Sequence, residues 1–263
     1  MLKKKTVCGI IVISLIITIT LVIYFIHNKP IYSISSRIDD VKDKKNIKDS
    51  KFKTIGWLRI QGTDIDYPII YSPDENEAFP VELESYVWSN NKDDKFHENI
   101  LIEGHNIFNL SSKPKKHSKL FKRFEELMAF MYFDFAKENQ YIQLTIDGKD
   151  YLYKIFAVSF IDVSTSTFLP KLGKINDEEF AELKRITKQN SLYDYDVDIK
   201  SDDNFISLST CIRFYLNETE REYYVHGRLL RSDEKPVKYR VKKSKKYKEI
   251  EKLWEDDENE ENA

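Results

Sequence analysis

Cys211 closes the run Phe205-Ile206-Ser207-Leu208-Ser209-Thr210-Cys211, and Arg221 follows ten residues later. Arg221 opens a second run, Glu222-Tyr223-Tyr224-Val225-His226-Gly227-Arg228-Leu229-Leu230, and far upstream His105 follows Asn99-Ile100-Leu101-Ile102-Glu103-Gly104. A thiol, an imidazole and a guanidinium are parts suited to nucleophilic acyl transfer. The thiolate is the nucleophile, and an unperturbed thiol has a pKa of about 8.5, so it needs help at neutral pH. His105 can take a proton and later return one to a leaving amine. Arg221 offers a permanently charged fork for an oxyanion or for substrate backbone. Each residue also has a plainer reading: an inert buried cysteine, a polar loop histidine, a surface ion-pair arginine. Only their conjunction points to catalysis.

Positioning them requires strands. The run into Cys211 is rich in β-formers and reads as a buried strand, and the run from Arg221 reads as its hairpin partner. Strand parity puts Arg221 with Tyr223 and Val225 and places Arg228 and His226 on the opposite face. His226 is accordingly expected as a strand-surface residue. Upstream, Gly56-Trp57-Leu58-Arg59-Ile60 alternates like a strand, and Gly62-Thr63 makes a turn. Ile65 to Tyr71 gives a second strand, which Pro68 places near an edge. Ser118 to about Met131 carries Leu120, Phe121, Phe124, Leu127, Met128 and Met131 on one helical stripe. Tyr141–Ile146 and Tyr151–Val163 bracket Asp147-Gly148, a hairpin signal. Asn176 with Glu179 marks a capped helix start, running to about Lys188. Many strands and few helices, without regular βα alternation, predict a mostly antiparallel β-barrel or sandwich.

The ends differ from the middle. Lys3-Lys4-Lys5 precede the uncharged stretch Thr6–Ile26, long enough to cross a bilayer as a helix. It is longer than the apolar core of a signal peptide, and no small-x-small site follows Ile26. The expectation is therefore a cytoplasmic N-terminus (1–5), a transmembrane anchor (6–26) and a stalk or leading helix (27–53). A catalytic barrel over 54–230 would lie outside the cell, with a charged, solvated and partly disordered tail over 231–263. Net charge is −2, and the first 29 residues hold four Lys and no acid, leaving −6 on the rest. That balance excludes a global basic excess of the nucleic-acid-binding kind. Cys8 sits in the apolar stretch, so Cys211 would stand alone in an oxidising compartment, as an inert buried residue or as a nucleophile kept free.

The joint pattern resembles a sortase, most like class B. Leu208-Ser209-Thr210-Cys211 is similar to the family's T-L-x-T-C box, with Ser207 in place of its first threonine. Gly104-His105-Asn106 is similar to its histidine motif, and Arg221 stands where its arginine falls. Gly56-Trp57-Leu58-Arg59-Ile60 and Gly62-Thr63-Asp64-Ile65-Asp66-Tyr67-Pro68 resemble the class B entry strands. The resemblance implies a closed eight-stranded β-barrel with peripheral helices, holding His105, Cys211 and Arg221 as catalytic residues. Ser209 and Thr210 would contact substrate. Cys211 would attack a C-terminal N-P-x-T-x-like sorting signal of surface proteins at the Thr carbonyl. An amino group of peptidoglycan precursor would then resolve the thioacyl enzyme, with no metal or cofactor.

Two departures stand beside the site. Glu103 replaces an aromatic that class B members commonly carry two residues before the histidine, and its charge would favour the imidazolium of His105. Arg213 replaces a common acidic residue, which leaves it as a second candidate arginine beside Arg221. Rival readings remain. Cys211-Ile212-Arg213 also matches the Cys-Ile-Arg of L,D-transpeptidases, although Ser209-Thr210 stands where those carry His-Gly. An anchored surface-binding module with a catalytically idle barrel is the non-enzymatic alternative.

Overall fold

Alternation along the strands decides which side chains meet inside. Leu58 and Ile60, Ile100 and Ile102, Ile142 and Leu144, Ile206 and Leu208, and Tyr223 and Val225 all enter one core at every second position. The computed structural model describes residues 53–63, 65–71, 87–89, 99–104, 124–162, 170, 173–214 and 217–252. The strands are β1 (Lys53–Ile60), β2 (Asp66–Tyr71), β3 (Val87–Ser89), β4 (Asn99–Gly104) and β5 (Tyr141–Ile146). They continue as β6 (Lys149–Asp162), β7 (Tyr193–Tyr195), β8 (Phe205–Phe214), β9 (Asn217–Leu229) and β10 (Val241–Lys243). A barrel closes in the order β1-β2-β3-β4-β8-β9-β6-β5. Seven of these strands have six residues or more, and the three-residue β3 completes the ring between β2 and β4.

Most neighbours are antiparallel, as the sequence leads one to expect, but β2–β3 and β4–β8 run parallel. Pro68 is not on a free edge. It pairs with Trp57 of β1, and pairing to β3 starts one residue later, at Ile69. The missing N–H therefore sits where β2 has a neighbour on one side only. The β5–β6 turn has positive φ at both Asp147 and Gly148, the backbone a two-residue hairpin of primed type requires. In β6 the register shifts between Ile155 and Ala157, so Tyr153 and Ile155, then Val158 and Phe160, all reach the core.

Helical segments pack around the barrel. Residues Phe124–Met131 form a 3-10 helix in which Phe124, Leu127 and Phe130 repeat every third position and are buried. Helix α1 (Phe133–Glu138) follows. Helix α2 (Asp177–Asn190) has the capping box expected of it: Glu179 N donates to Asn176 Oδ1 at 2.9 Å, and Asn176 N donates to Glu179 Oε2 at 3.0 Å. Its Ile186 joins Leu101, Ile161 and Tyr224 in a second apolar cluster on the outer side of the sheet.

From Arg231 to Lys252 the segment is folded, against the expectation of a solvated extension. β10 pairs with β7, and a helix, α3, covers 245–252. Val241, Tyr247 and Ile250 enter the main core. The Tyr239 hydroxyl lies 2.6 Å from Gln140 O and 2.7 Å from Ile155 O. Four apolar or aromatic side chains thus outweigh the segment's charge. The expected anchor, stalk and terminal acidic residues lie outside the described residues. Among the described residues no helix is long and apolar enough to cross a membrane.

Candidate active site

The parallel pair β4–β8 brings two of the sequence-selected regions together. Leu101 is level with Ser207, Ile102 with Leu208, and Glu103 with Ser209. Both strands run toward the same rim of the barrel. At that rim Thr210 Oγ1 donates to Gly104 O at 2.7 Å, and Thr210 is only 3% exposed. These two residues directly precede Cys211 and His105 in the chain. His105 itself lies outside the described residues. Gly104 must be glycine for packing: a Cβ there would come within 2.6 Å of Phe124 Cγ. The 3-10 helix therefore presses on the strand end that leads to the histidine.

The antiparallel pair β8–β9 supplies the rest. Cys211 stands opposite Glu222, Ile212 opposite Arg221, and Arg213 opposite Glu220. Cys211 and Arg221 are thus one register step apart along neighbouring strands, roughly 6 Å between backbones from strand spacing and rise, and strand alternation puts the two positions on opposite faces, Cys211 with Glu222 and Arg221 with Ile212. Arg221 also stands opposite Asp162 of β6. Ser209 is buried, and its hydroxyl shares a hydrogen bond with that of Tyr224. The Tyr224 hydroxyl donates to Glu222 Oε2. Burial first, and the Glu222 carboxylate second, push the Tyr224 hydroxyl well above its usual pKa, with Glu103 adding to the shift. The residues opposite and beside the thiol position thus bear two carboxylates and a neutral phenol, a setting that favours a cation nearby. Sequence reading singled out Glu103 here but passed over Glu222 and Tyr224. The available signal was hairpin register, which sets Tyr224 opposite Ser209 and Glu222, two residues earlier, opposite Cys211.

A profile of the sortase domain matches residues 58–230, more than half of the chain. The chain belongs to the sortase family. Among its relatives, sortase B of Listeria monocytogenes is 24% identical over 193 residues, covering 70% of this chain and 70% of the relative. Sortase B of Staphylococcus aureus is 20% identical over 175 residues, covering 64% of this chain and 66% of the relative. The fold is similar to that of Clostridium perfringens sortase B, with a TM-score of 0.53 at 20% identity, covering 69% of this chain and 94% of that one. A Staphylococcus aureus sortase B–substrate complex aligns with a TM-score of 0.52 at 18% identity, covering 68% and 80%. This sortase is therefore most like class B.

Within the sortase barrel two further polar residues are accounted for by structure. His226 is not a strand-surface residue: it is 1% exposed, because the outer face of β9 is covered rather than solvated. Its Nδ1 lies 2.9 Å from Ser207 Oγ, and its ring stacks on Tyr224 at 5.3 Å. Burial lowers its pKa to about 3, so it is held neutral. Arg228 is fully buried and committed to Glu234, with Nη2 donating to Oε1 at 2.9 Å. Arg231 in turn donates to Asp203 at 2.8 Å and to Asp198 at 2.8 Å. That network ties the acidic loop before β8 to the end of β9, and it leaves Arg228 no part in the site.

Proposed function

We propose that this sortase is a cysteine transpeptidase that attaches surface proteins to the cell wall. Cys211, as thiolate, attacks the Thr carbonyl of an N-P-x-T-x-like C-terminal signal. The C–N bond after Thr breaks, and the leaving amine takes a proton from His105. The resulting thioester is attacked by an amino group of peptidoglycan precursor. His105 accepts that amine's proton and the C–S bond breaks, restoring the thiolate. Arg221 holds the oxyanion or the substrate backbone, and Ser209 and Thr210 shape the substrate side of the nucleophile. No metal or cofactor takes part. Residues 6–26 anchor the chain with the barrel outside the cell.

One observation carries this reading. In a chain of the sortase family, Thr210 and Gly104 are hydrogen-bonded, so the backbone positions that lead into Cys211 and His105 share one rim. A Staphylococcus aureus sortase B, similar in fold, has been solved as a substrate complex, which supports reading this barrel as a substrate-binding one. The test uses the full chain in neutral detergent with N-P-x-T-G and N-P-x-T-N peptides. Mass spectrometry is expected to find an acyl adduct on Cys211, absent in Cys211→Ala and nearly absent in His105→Ala. Cleavage that persists in Cys211→Ala would overturn the assignment. Arg221→Lys is expected to lose most activity, because a point charge does not replace a planar fork.

A further inference from the structure

The segment beyond the matched domain carries charge for which the proposed chemistry has no use. From Lys235 to Lys248 it holds seven Lys, one Arg and no acid. Its backbone is fixed to the barrel by the β10–β7 pairing and by buried Val241 and Tyr247. The cations are therefore presented in a set order rather than on a free chain. Half of them already have partners: Lys238 with Glu138, Arg240 with Asp196, Lys243 with Glu251 and Lys246 with Glu249. Lys235, Lys242, Lys245 and Lys248 are exposed and carry no ion pair among the described residues.

We propose that this ribbon is a docking surface for a linear polymer of phosphate diesters. Ammonium groups bind phosphate as point charges, and a succession of them along a strand and a helix suits a chain of regularly spaced anions. Because the backbone is already ordered, little conformational freedom is lost on binding. A lipid surface fits less well. A helix lying on a bilayer sinks an apolar face into it, whereas Tyr247 and Ile250 of α3 are spent on the protein core. Val237, 58% exposed between Lys235 and Lys238, is a single side chain and makes no such face.

The test uses the full chain in neutral detergent and linear poly(glycerol phosphate) as the probe. Binding is expected, with log affinity falling against log salt at a slope of about −3 for four lysines. The variant Lys235→Gln/Lys242→Gln/Lys245→Gln/Lys248→Gln is expected to bind roughly tenfold or more weakly and to show a much flatter salt slope. Its unfolding midpoint and its cleavage of sorting-signal peptides should stay unchanged, which separates this surface from the active site. Equal binding by the two proteins, or none by the unaltered chain, overturns the proposal. So does binding confined to micelles doped with an anionic phospholipid, which would assign the ribbon to a membrane surface instead.

Discussion

Thr210 Oγ1 donates to Gly104 O across the parallel pair β4–β8, at 2.7 Å and out of contact with solvent. One side chain thus fixes the spacing between the end of β4, which leads into His105, and the part of β8 that leads into Cys211. The Thr210→Val substitution keeps the shape and leaves a buried carbonyl without its donor, a cost of about 1–3 kcal/mol. Stability in urea unfolding should fall by that amount, and peptide cleavage should fall further than stability explains. Thr210→Ser should recover both, since it returns the hydroxyl. A valine variant with full activity would show that the strand ends are held by something else.

Gly104 tests the same rim from the other side. An added methyl must displace Phe124, which is fully buried. Overpacking of this kind costs about 1–3 kcal/mol. Gly104→Ala should therefore destabilise the chain, while in a Phe124→Ala background the same change should cost little. A double-mutant cycle reads the coupling directly. Additive losses would mean that Phe124 is not what makes glycine necessary.

Much of this rim was legible in the sequence because it is built from long alternating strands. The runs ending at Gly104 and Cys211 and the run from Arg221 lie in β4, β8 and β9, although β8 continues past Cys211 to Phe214 and β9 begins at Asn217, before Arg221; parity separates Arg228 from Tyr223 and Val225. The capping box at Asn176 is local chemistry and was equally visible. The stripe expected as an α-helix toward Met131 is 3-10 over Phe124–Met131, since apolar residues at 124, 127 and 130 satisfy either period in so short a piece. β3, β7 and β10 have three residues each, too few for any periodicity. The burial of His226 depends on α2 and its neighbours covering the sheet from outside, which no local pattern announces.

His226 predicts an acid limb in stability. Burial lowers its pKa to about 3 in the folded chain, while the unfolded chain titrates near the ordinary value of about 6.5. Above the unfolded pKa both states are neutral at this site and it contributes no pH dependence. As pH falls below it, only the unfolded state takes the proton, so stability drops by about 1.4 kcal/mol per pH unit until the folded pKa is reached. His226→Gln keeps a polar partner for Ser207 and removes the titration. Urea unfolding across the range from about pH 7 to pH 5 should therefore show a shallower loss in the variant than in the unaltered chain. Parallel curves would mean that the buried ring does not stay neutral.

The match to the sortase domain ends at residue 230, yet the fold does not. Removing everything after Leu230 takes Glu234 from Arg228, which is wholly buried and has its closest carboxylate there. Losing one partner of a buried ion pair costs about 3–5 kcal/mol. The same cut strips Val241, Tyr247 and Ile250 from the core, each worth about 1.5–3 kcal/mol on burial. Together these losses are of the same size as the roughly 5–15 kcal/mol that holds an ordinary domain folded. The truncated chain should therefore fail to give a cooperative thermal transition, despite keeping the whole matched domain. Glu234→Gln alone should reproduce the ion-pair share of the loss, about 3 kcal/mol. Asp198→Asn, at a carboxylate 62% exposed and 3.7 Å from Arg228, should cost far less. Equal losses from the two would locate the stabilisation in the exposed part of the network, and a truncated chain that melts cooperatively would make the C-terminal segment an accessory to the barrel rather than one of its walls.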